Sequence, residues 1–95
     1  MIPAFLMILG KRWEVVMVDG GEADDYGQCI YDHCRIEIRR TQCQQQMQDT
    51  LLHEATHAID HTLHNDLTER QVHRVASGTL ALLRDNPELI GFLTA

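Results

Sequence analysis

A chain of 95 residues with a net charge of −6 has room for one small domain, and its acidic surface repels phosphate backbones. We therefore expect a single domain over residues 1–95 and no nucleic acid as its main partner. The hydrophobic content of 44% and the charged content of 23% are ordinary for a globular protein, which argues against disorder along the whole chain. The length, charge and composition do not determine the oligomeric state.

The opening segment, MIPAFLMIL, is apolar but too short to cross a membrane, and it shows neither a positive n-region nor a cleavage pattern. We interpret it as a strand and expect a cytoplasmic protein without a membrane partner. Cys29, Cys34 and Cys43 are an odd number of thiols without a CxxC pair, which suits a reducing compartment better than a disulfide framework. A cysteine-based zinc site is the alternative interpretation of these thiols.

The first forty residues carry the patterns of strands and turns. Trp13 to Val18 is rich in β-branched residues, and Arg35 to Arg39 alternates polar and apolar residues as a half-buried strand does. Glycine and aspartate residues between positions 20 and 27 predict a flexible loop, and Asp32-His33 predicts a hairpin turn. The predicted strands are Phe5–Leu9, Trp13–Val18, Gln28–Tyr31 and Arg35–Arg39.

The remaining residues predict three helices. Thr41 to Gln44 matches a capping box, and the helix that it opens should run to about Leu63. Thr68 to Gln71 is a second capping box, and Gly78 inside the helix that follows suggests a close helix crossing. Pro87 suits the first position of a third helix. The predicted fold is α+β: a small N-terminal sheet of three to four strands packed against a long helix and a second helix, with a short C-terminal helix.

The long helix contains the segment HEATH at positions 53–57, which is an H-E-x-x-H motif. Residues four apart on a helix share a face, so His53 and His57 can bind one metal ion. Neutral imidazoles are good zinc ligands, and zinc lowers the pKa of a coordinated water towards 7. Glu54 can take a proton from that water, which makes it the candidate catalytic base. The two histidines lie opposite the apolar stripe of the helix and are therefore free to line a cleft.

A third metal ligand is expected from outside the motif, and Glu69 is our choice. It opens the second helix, just after a tight turn that folds this helix back on the first, and it projects to the inward side. An inward carboxylate requires a partner, which zinc would supply, whereas the simpler interpretation is a carboxylate that stabilises a helix N-terminus. The competing candidates are His61, His64, Asp60 and His73.

Three further side chains are candidates for hydrogen bonds around the metal or to an oxyanion. His73 lies one turn after Glu69, and His61 continues the four-residue spacing of the motif. Tyr31 carries a phenol that can donate a hydrogen bond, and Tyr26 is another such donor.

The chain resembles the minimal zincin-type metallopeptidase domains of bacteriophages and bacteria. The features that carry this resemblance are the H-E-x-x-H helix, Asp60, Glu69 and the segment DNPEL at positions 85–89. The chain is distantly similar to the ImmA/IrrE family. The resemblance implies a small sheet packed on the motif helix, and a glutamate of the next helix, here Glu69, as third ligand in the manner of gluzincins. It also implies an edge strand that binds extended peptide, for which Cys34–Arg40 is the natural candidate. A phage-encoded chain would act in the cytoplasm of its bacterial host.

These features lead to one main hypothesis and two alternatives. The main hypothesis is an enzyme, a zinc metallopeptidase with one Zn²⁺ per chain and a peptide or protein substrate, in which Glu54 is the base. The first alternative is a metal-stabilised protein-binding module for phage–host interaction, with the zincin fold and little or no turnover. The second alternative is an α+β domain without a metal, in which the H-E-x-x-H motif is accidental.

Overall fold

The N-terminal part of the chain folds into one mixed sheet. The computed structural model describes residues 1–19 and 25–95, so residues 20–24 of the predicted loop lie outside the described residues. Within the described ranges the sheet has four strands: β1 (Phe5–Ile8), β2 (Lys11–Val18), β3 (Gly27–Ile30) and β4 (Arg35–Arg39). Their order is β1-β2-β4-β3, in which β2 and β4 run parallel and the two outer pairs antiparallel. All four predicted strands are confirmed, with small shifts at their ends.

Helices make up most of the second half. They are α1 (Gln44–Leu63), α2 (Glu69–Asp85) and the short α3 (Leu89–Leu93), and a 3-10 turn over Tyr31–His33 joins β3 to β4 where the hairpin turn is predicted. The predicted α+β layout is confirmed, because the sheet precedes two long helices and a short C-terminal helix. Among the described helices, none combines the length and the apolar character that crossing a membrane requires.

The start of α2 is capped as predicted. The Gln71 amide N–H donates to the Thr68 hydroxyl at 3.1 Å, and the Thr68 amide N–H donates to the Gln71 side-chain oxygen at 2.9 Å. These reciprocal bonds form a capping box that satisfies two otherwise unpaired donors. The predicted boundary therefore places Glu69 at the first position of α2.

The starts of α1 and α3 differ from the prediction. The capping box at Thr41 is wrong, because Cys43 is the residue that precedes α1 and it makes no side-chain cap bond. Thr41 lies instead in the turn that leaves the sheet. The prediction that Pro87 opens α3 is also wrong, since Pro87 and Glu88 form a turn before the helix begins at Leu89.

The hydrophobic core lies between the sheet and α1. Trp13, Ile36 and Ile38 are almost fully buried on the inner face of the sheet. Helix α1 meets them with Ala55 and Ala58, whose small side chains let the helix backbone lie close to the strands. The motif helix is therefore fixed along one side, and its other side remains available for the histidines.

Helix α2 packs on α1 through a narrow strip. Within the described chain, Val72 and Ala76 are the only α2 residues that are buried. The close crossing predicted at Gly78 is wrong, because no atom lies within 4 Å of the position that its Cβ would take. Gly78 is two residues beyond Ala76 and therefore points away from the contact strip. The buried contacts of α2 are therefore confined to its N-terminal half.

Candidate metal centre

Helices α1 and α2 bring the three predicted ligands together. The Nε2 atom of His53 lies 2.6 Å from one carboxylate oxygen of Glu69, and the Nε2 atom of His57 lies 2.7 Å from the other. One ligand atom from each of these residues falls within 4.8 Å of the other two, so the group could bind a metal ion. The imidazole rings are 4.9 Å apart at an angle of 69°, with their Nε2 atoms facing the same carboxylate.

The charge of Glu69 suits a metal ligand. Partial burial raises the pKa of its carboxyl, but the neighbouring His57 and His53 outweigh this effect and hold the pKa below its ordinary value. Glu69 is therefore an anion at neutral pH. Its carboxylate faces two imidazoles, which can be metal ligands when they are neutral.

A hydrogen-bonded turn brings α2 back to α1. The carboxylate of Asp60 accepts the backbone N–H groups of Asp66 and Leu67, each at 3.2 Å. The Asp60 carbonyl accepts the amide of Asn65, whose φ of 61° reverses the chain. Asp60 therefore shapes the turn and does not belong to the metal group. The turn delivers Glu69 to the histidines at the start of the next helix.

The other candidate ligands lie outside the group of His53, His57 and Glu69. The ring of His61 stacks on Tyr31 with centroids 4.1 Å apart, and His64 is exposed in the turn. The ring of His73 lies 6.2 Å from that of His53, which places it beside the group as a candidate hydrogen-bond donor. Among the described residues the cysteines form no metal group either, and all three are free thiols.

Glu54 lies beneath the histidines and is 7% exposed. Burial, and next the negative charge of Glu69, raise the pKa of its carboxyl to about 7, against a smaller opposing effect of Cys29. The Cys29 thiol donates to the Glu54 main-chain carbonyl at 3.0 Å. A carboxyl with a pKa near 7 can both accept and return a proton at neutral pH.

Tyr31 keeps its proton at neutral pH. Burial, and then the charges of Cys29 and Glu54, raise the pKa of the phenol to about 12. The ring is held between His61, on which it stacks, and Trp13, which it meets edge-on at 6.3 Å. Tyr31 is therefore a fixed, protonated phenol close to the carboxylates of the site.

An open cleft of about 460 Å³ leads to Glu54 and Glu69. Its walls come from the start of β3, from α1 and from the first half of α2. The described residues that line it are Asp25, Tyr26, Gly27, Gln46, Asp49, Thr50, His53, Glu54, Glu69, His73 and Ser77. The expectation that Cys34–Arg40 is the edge strand is wrong, because β4 pairs with β2 on one side and β3 on the other. The hairpin places β3 outside β4, so β3 is the edge strand beside the cleft.

Gly27 sets how closely this edge strand approaches the motif helix. A Cβ atom at Gly27 would lie 2.6 Å from Thr50 Cγ2, 2.8 Å from the Glu37 carbonyl oxygen and 3.4 Å from Glu54 Cγ. Only glycine fits at this distance, because the first two separations are shorter than van der Waals contact. Sequence reasoning treated Gly27 only as part of a loop, although a glycine beside a strand is a known sign of close backbone approach.

Gln42 fastens the rim of the cleft to the motif helix. Its side-chain N–H groups donate to the main-chain carbonyls of Tyr26 and Arg39, both at 2.8 Å, and its oxygen accepts from the Thr50 hydroxyl at 2.9 Å. One amide thus joins β3, β4 and α1. Sequence reasoning assigned Gln42 to a capping box and missed this role, since its partners lie in three different segments that only the folded chain brings together.

The buried carboxyl predicts a pH-dependent stability of the metal-free protein. The pKa of Glu54 is about 7 in the folded chain against an ordinary value of 4.5. The folded state therefore binds the proton more tightly than the unfolded state does. The free energy of unfolding consequently falls as the pH rises from about 4.5 to about 7. We expect Glu54 to lower that free energy by about 3 kcal/mol at pH 8 relative to pH 4.

Thermal denaturation after EDTA treatment measures this effect, with Glu54→Gln as the comparison. The substituted chain should melt at a higher temperature than the native chain at pH 8 and at about the same temperature at pH 4. A Glu54→Gln chain that is no more stable at pH 8 would contradict the burial of an ionised carboxylate.

Comparisons with known proteins leave the site to be judged on its own chemistry. The chain matches no protein-family model, no curated protein and no solved structure. The arrangement of His53, Glu54, His57 and Glu69 beside a cleft is therefore the basis for a functional proposal.

Proposed function

We propose that this protein is a zinc-dependent metallopeptidase. The proposal rests on one observation: the group His53–His57–Glu69 lies next to the buried carboxyl of Glu54. A structural metal site requires no base beside it, and burying a carboxyl costs stability, so a buried carboxyl at this place favours a catalytic role. The cleft that opens on both features gives a substrate access to them.

The donor set fits zinc. Two imidazole nitrogens and a carboxylate oxygen are the protein ligands of many catalytic zinc sites, which keep a fourth position open for water. When bound, Zn²⁺ would act as a Lewis acid and lower the pKa of a water in that position. We propose one Zn²⁺ per chain, with His53, His57 and Glu69 as its ligands.

The chain's own residues then provide the proton transfers and the hydrogen bonds. Glu54 takes a proton from the attacking water and returns it to the departing amine, as general base and then general acid. His73, in the α2 wall of the cleft, and Tyr31, which remains protonated, are the candidate donors to the oxygen of the tetrahedral intermediate.

The edge strand β3 supplies a template for an extended peptide. The Tyr26 carbonyl accepts the Arg39 amide at 2.8 Å, so Tyr26 points towards β4. Because main-chain groups alternate along an antiparallel pair, those of Gly27 and Cys29 point away from β4. A peptide added along this edge would lie across the cleft, next to Glu54 and the metal ligands.

Membership of the minimal zincin-type group, distantly related to ImmA/IrrE, is part of this proposal and depends on the motif helix and Glu69. A bacteriophage or bacterial origin would place the activity in the bacterial cytoplasm. A shared motif alone shows no substrate, so the class of substrate has to come from the cleft itself.

A protein-binding module with little turnover is the second candidate. It is favoured by the apolar side chains that α3 leaves uncovered, since Phe92 is 80% exposed and Leu93 is 65% exposed. Large exposed apolar groups often mark a protein interface. The two candidates differ in one respect, which is whether a zinc-loaded chain cleaves peptides.

A cleavage assay with a mixed peptide library distinguishes them. The purified chain is freed of metal with EDTA, reloaded with one equivalent of Zn²⁺, and incubated with the library, and cut sites are read by mass spectrometry. Recurrent cuts that EDTA abolishes and zinc restores would support the peptidase. Absence of zinc-dependent cuts at micromolar enzyme over a day would reject it and favour the binding module.

A further inference from the structure

We propose that the cleft selects substrates that carry a lysine or arginine side chain next to the scissile bond. This inference rests on the proposed peptidase and adds the class of its substrate. It concerns two carboxylates, Asp25 and Asp49, which the proposed chemistry does not use.

The two carboxylates line the cleft from different elements of the fold. Asp25 stands directly before the edge strand β3, and Asp49 lies on α1, one helical turn before His53. Residues at this spacing share a helix face, so Asp49 points to the same side as the metal ligand. An extended peptide added along β3 would lie in the cleft that both carboxylates line.

Among the residues that the structure describes, neither carboxylate has a cationic partner. Within residues 1–19 and 25–95, no ion pair involves Asp25 or Asp49, and no lysine or arginine lines the cleft. Arg39, whose guanidinium stands over the Tyr26 ring at 5.1 Å, is not among the described residues that line the cleft. Glu69 belongs to the metal group, whereas Asp25 and Asp49 do not, so these two carboxylates remain for contacts with the substrate.

A basic side chain is the complement of this arrangement. A lysine or arginine can extend from the peptide and reach a carboxylate several ångströms from the scissile bond, while an aspartate or glutamate there meets like charge. The net charge of −6 also attracts cationic peptides before they bind. Electrostatic complementarity in a partly enclosed cleft acts on the choice of substrate more than on total affinity.

The test compares three zinc-loaded chains on the mixed peptide library. They are the native chain, Asp25→Asn with Asp49→Asn, and the control Asp32→Asn with Asp85→Asn, which removes the same charge outside the cleft. We expect lysine and arginine to be enriched beside the cuts of the native and control chains. The cleft variant should lose about tenfold in kcat/KM on basic substrates and little on neutral ones.

A binding measurement tests the preference for a basic side chain even if no peptide is cut. The probes are two fluorescein-labelled decapeptides of alanine and glycine that differ in a central Lys-Lys or Glu-Glu pair, and their anisotropy is measured with zinc-loaded Glu54→Gln. Tighter binding of the lysine peptide, lost in the cleft variant and kept in the control, supports the inference. Equal binding of both probes, or a preference that survives in the cleft variant, overturns it. A preference without turnover would reject the peptidase alone.

Discussion

Replacing Glu54 by Gln is expected to leave zinc bound and to lower peptide hydrolysis by at least about a hundredfold. Glutamine fills the same space as the buried glutamate, so the fold and the histidine ligands remain in place. It cannot accept the proton of the attacking water, and this loss affects the transition state and not the binding of the peptide. The effect should therefore fall on kcat while KM changes little.

The measurement needs metal content and activity on the same preparation. Elemental mass spectrometry gives the zinc per chain, and a peptide from the library experiment gives kcat and KM. Glu88→Gln is the matched control, because Glu88 lies before α3 and makes no side-chain cap bond. Hydrolysis by zinc-loaded Glu54→Gln at the native rate would show that Glu54 is not the base.

Removing either His57 or Glu69 is expected to abolish stoichiometric zinc binding. The two residues hold the metal group together from different helices, and loss of one ligand from a three-ligand site should weaken zinc affinity by at least about a hundredfold. Bound zinc stabilises the folded state by mass action, so the rise in Tm on adding zinc should disappear with it.

Zinc content and Tm are measured for His57→Ala, Glu69→Ala and the control His33→Ala, whose side chain is exposed in the 3-10 turn between β3 and β4. Zinc that is lost in His57→Ala but retained in Glu69→Ala would move the third ligand elsewhere, with His61 and then His64 as the next residues to replace. Absence of zinc from the native chain after reloading would leave an α+β domain without a metal.

Local patterns predicted those parts of the molecule that depend on neighbours in sequence. The alternation in Arg35–Arg39, the capping box at Thr68 and the four-residue spacing of His53 and His57 are local, and the elements carrying them form as expected. The position of Glu69 could be anticipated because a short turn and a capped helix start restrict where it lies.

Features that depend on contacts between distant residues were missed or wrong. The pairing of β4 on both sides follows from the parallel contact with β2, which no local pattern encodes. The partners of Gln42 lie just before β3, in β4 and in α1, so its side chain resembles part of a helix cap until those segments meet. Asp49 was also missed, although a local signal was present: it precedes His53 by four residues, and this spacing is enough to place it on the metal face of α1.

The narrow strip that holds α2 has a consequence for the third ligand. With Val72 and Ala76 as its only buried residues among those described, α2 buries little area against α1. His53 and His57 lie on one helix, which fixes their spacing, whereas the position of Glu69 depends on the packing of α2. Disturbing that packing would therefore displace the third ligand and leave the two histidines in place.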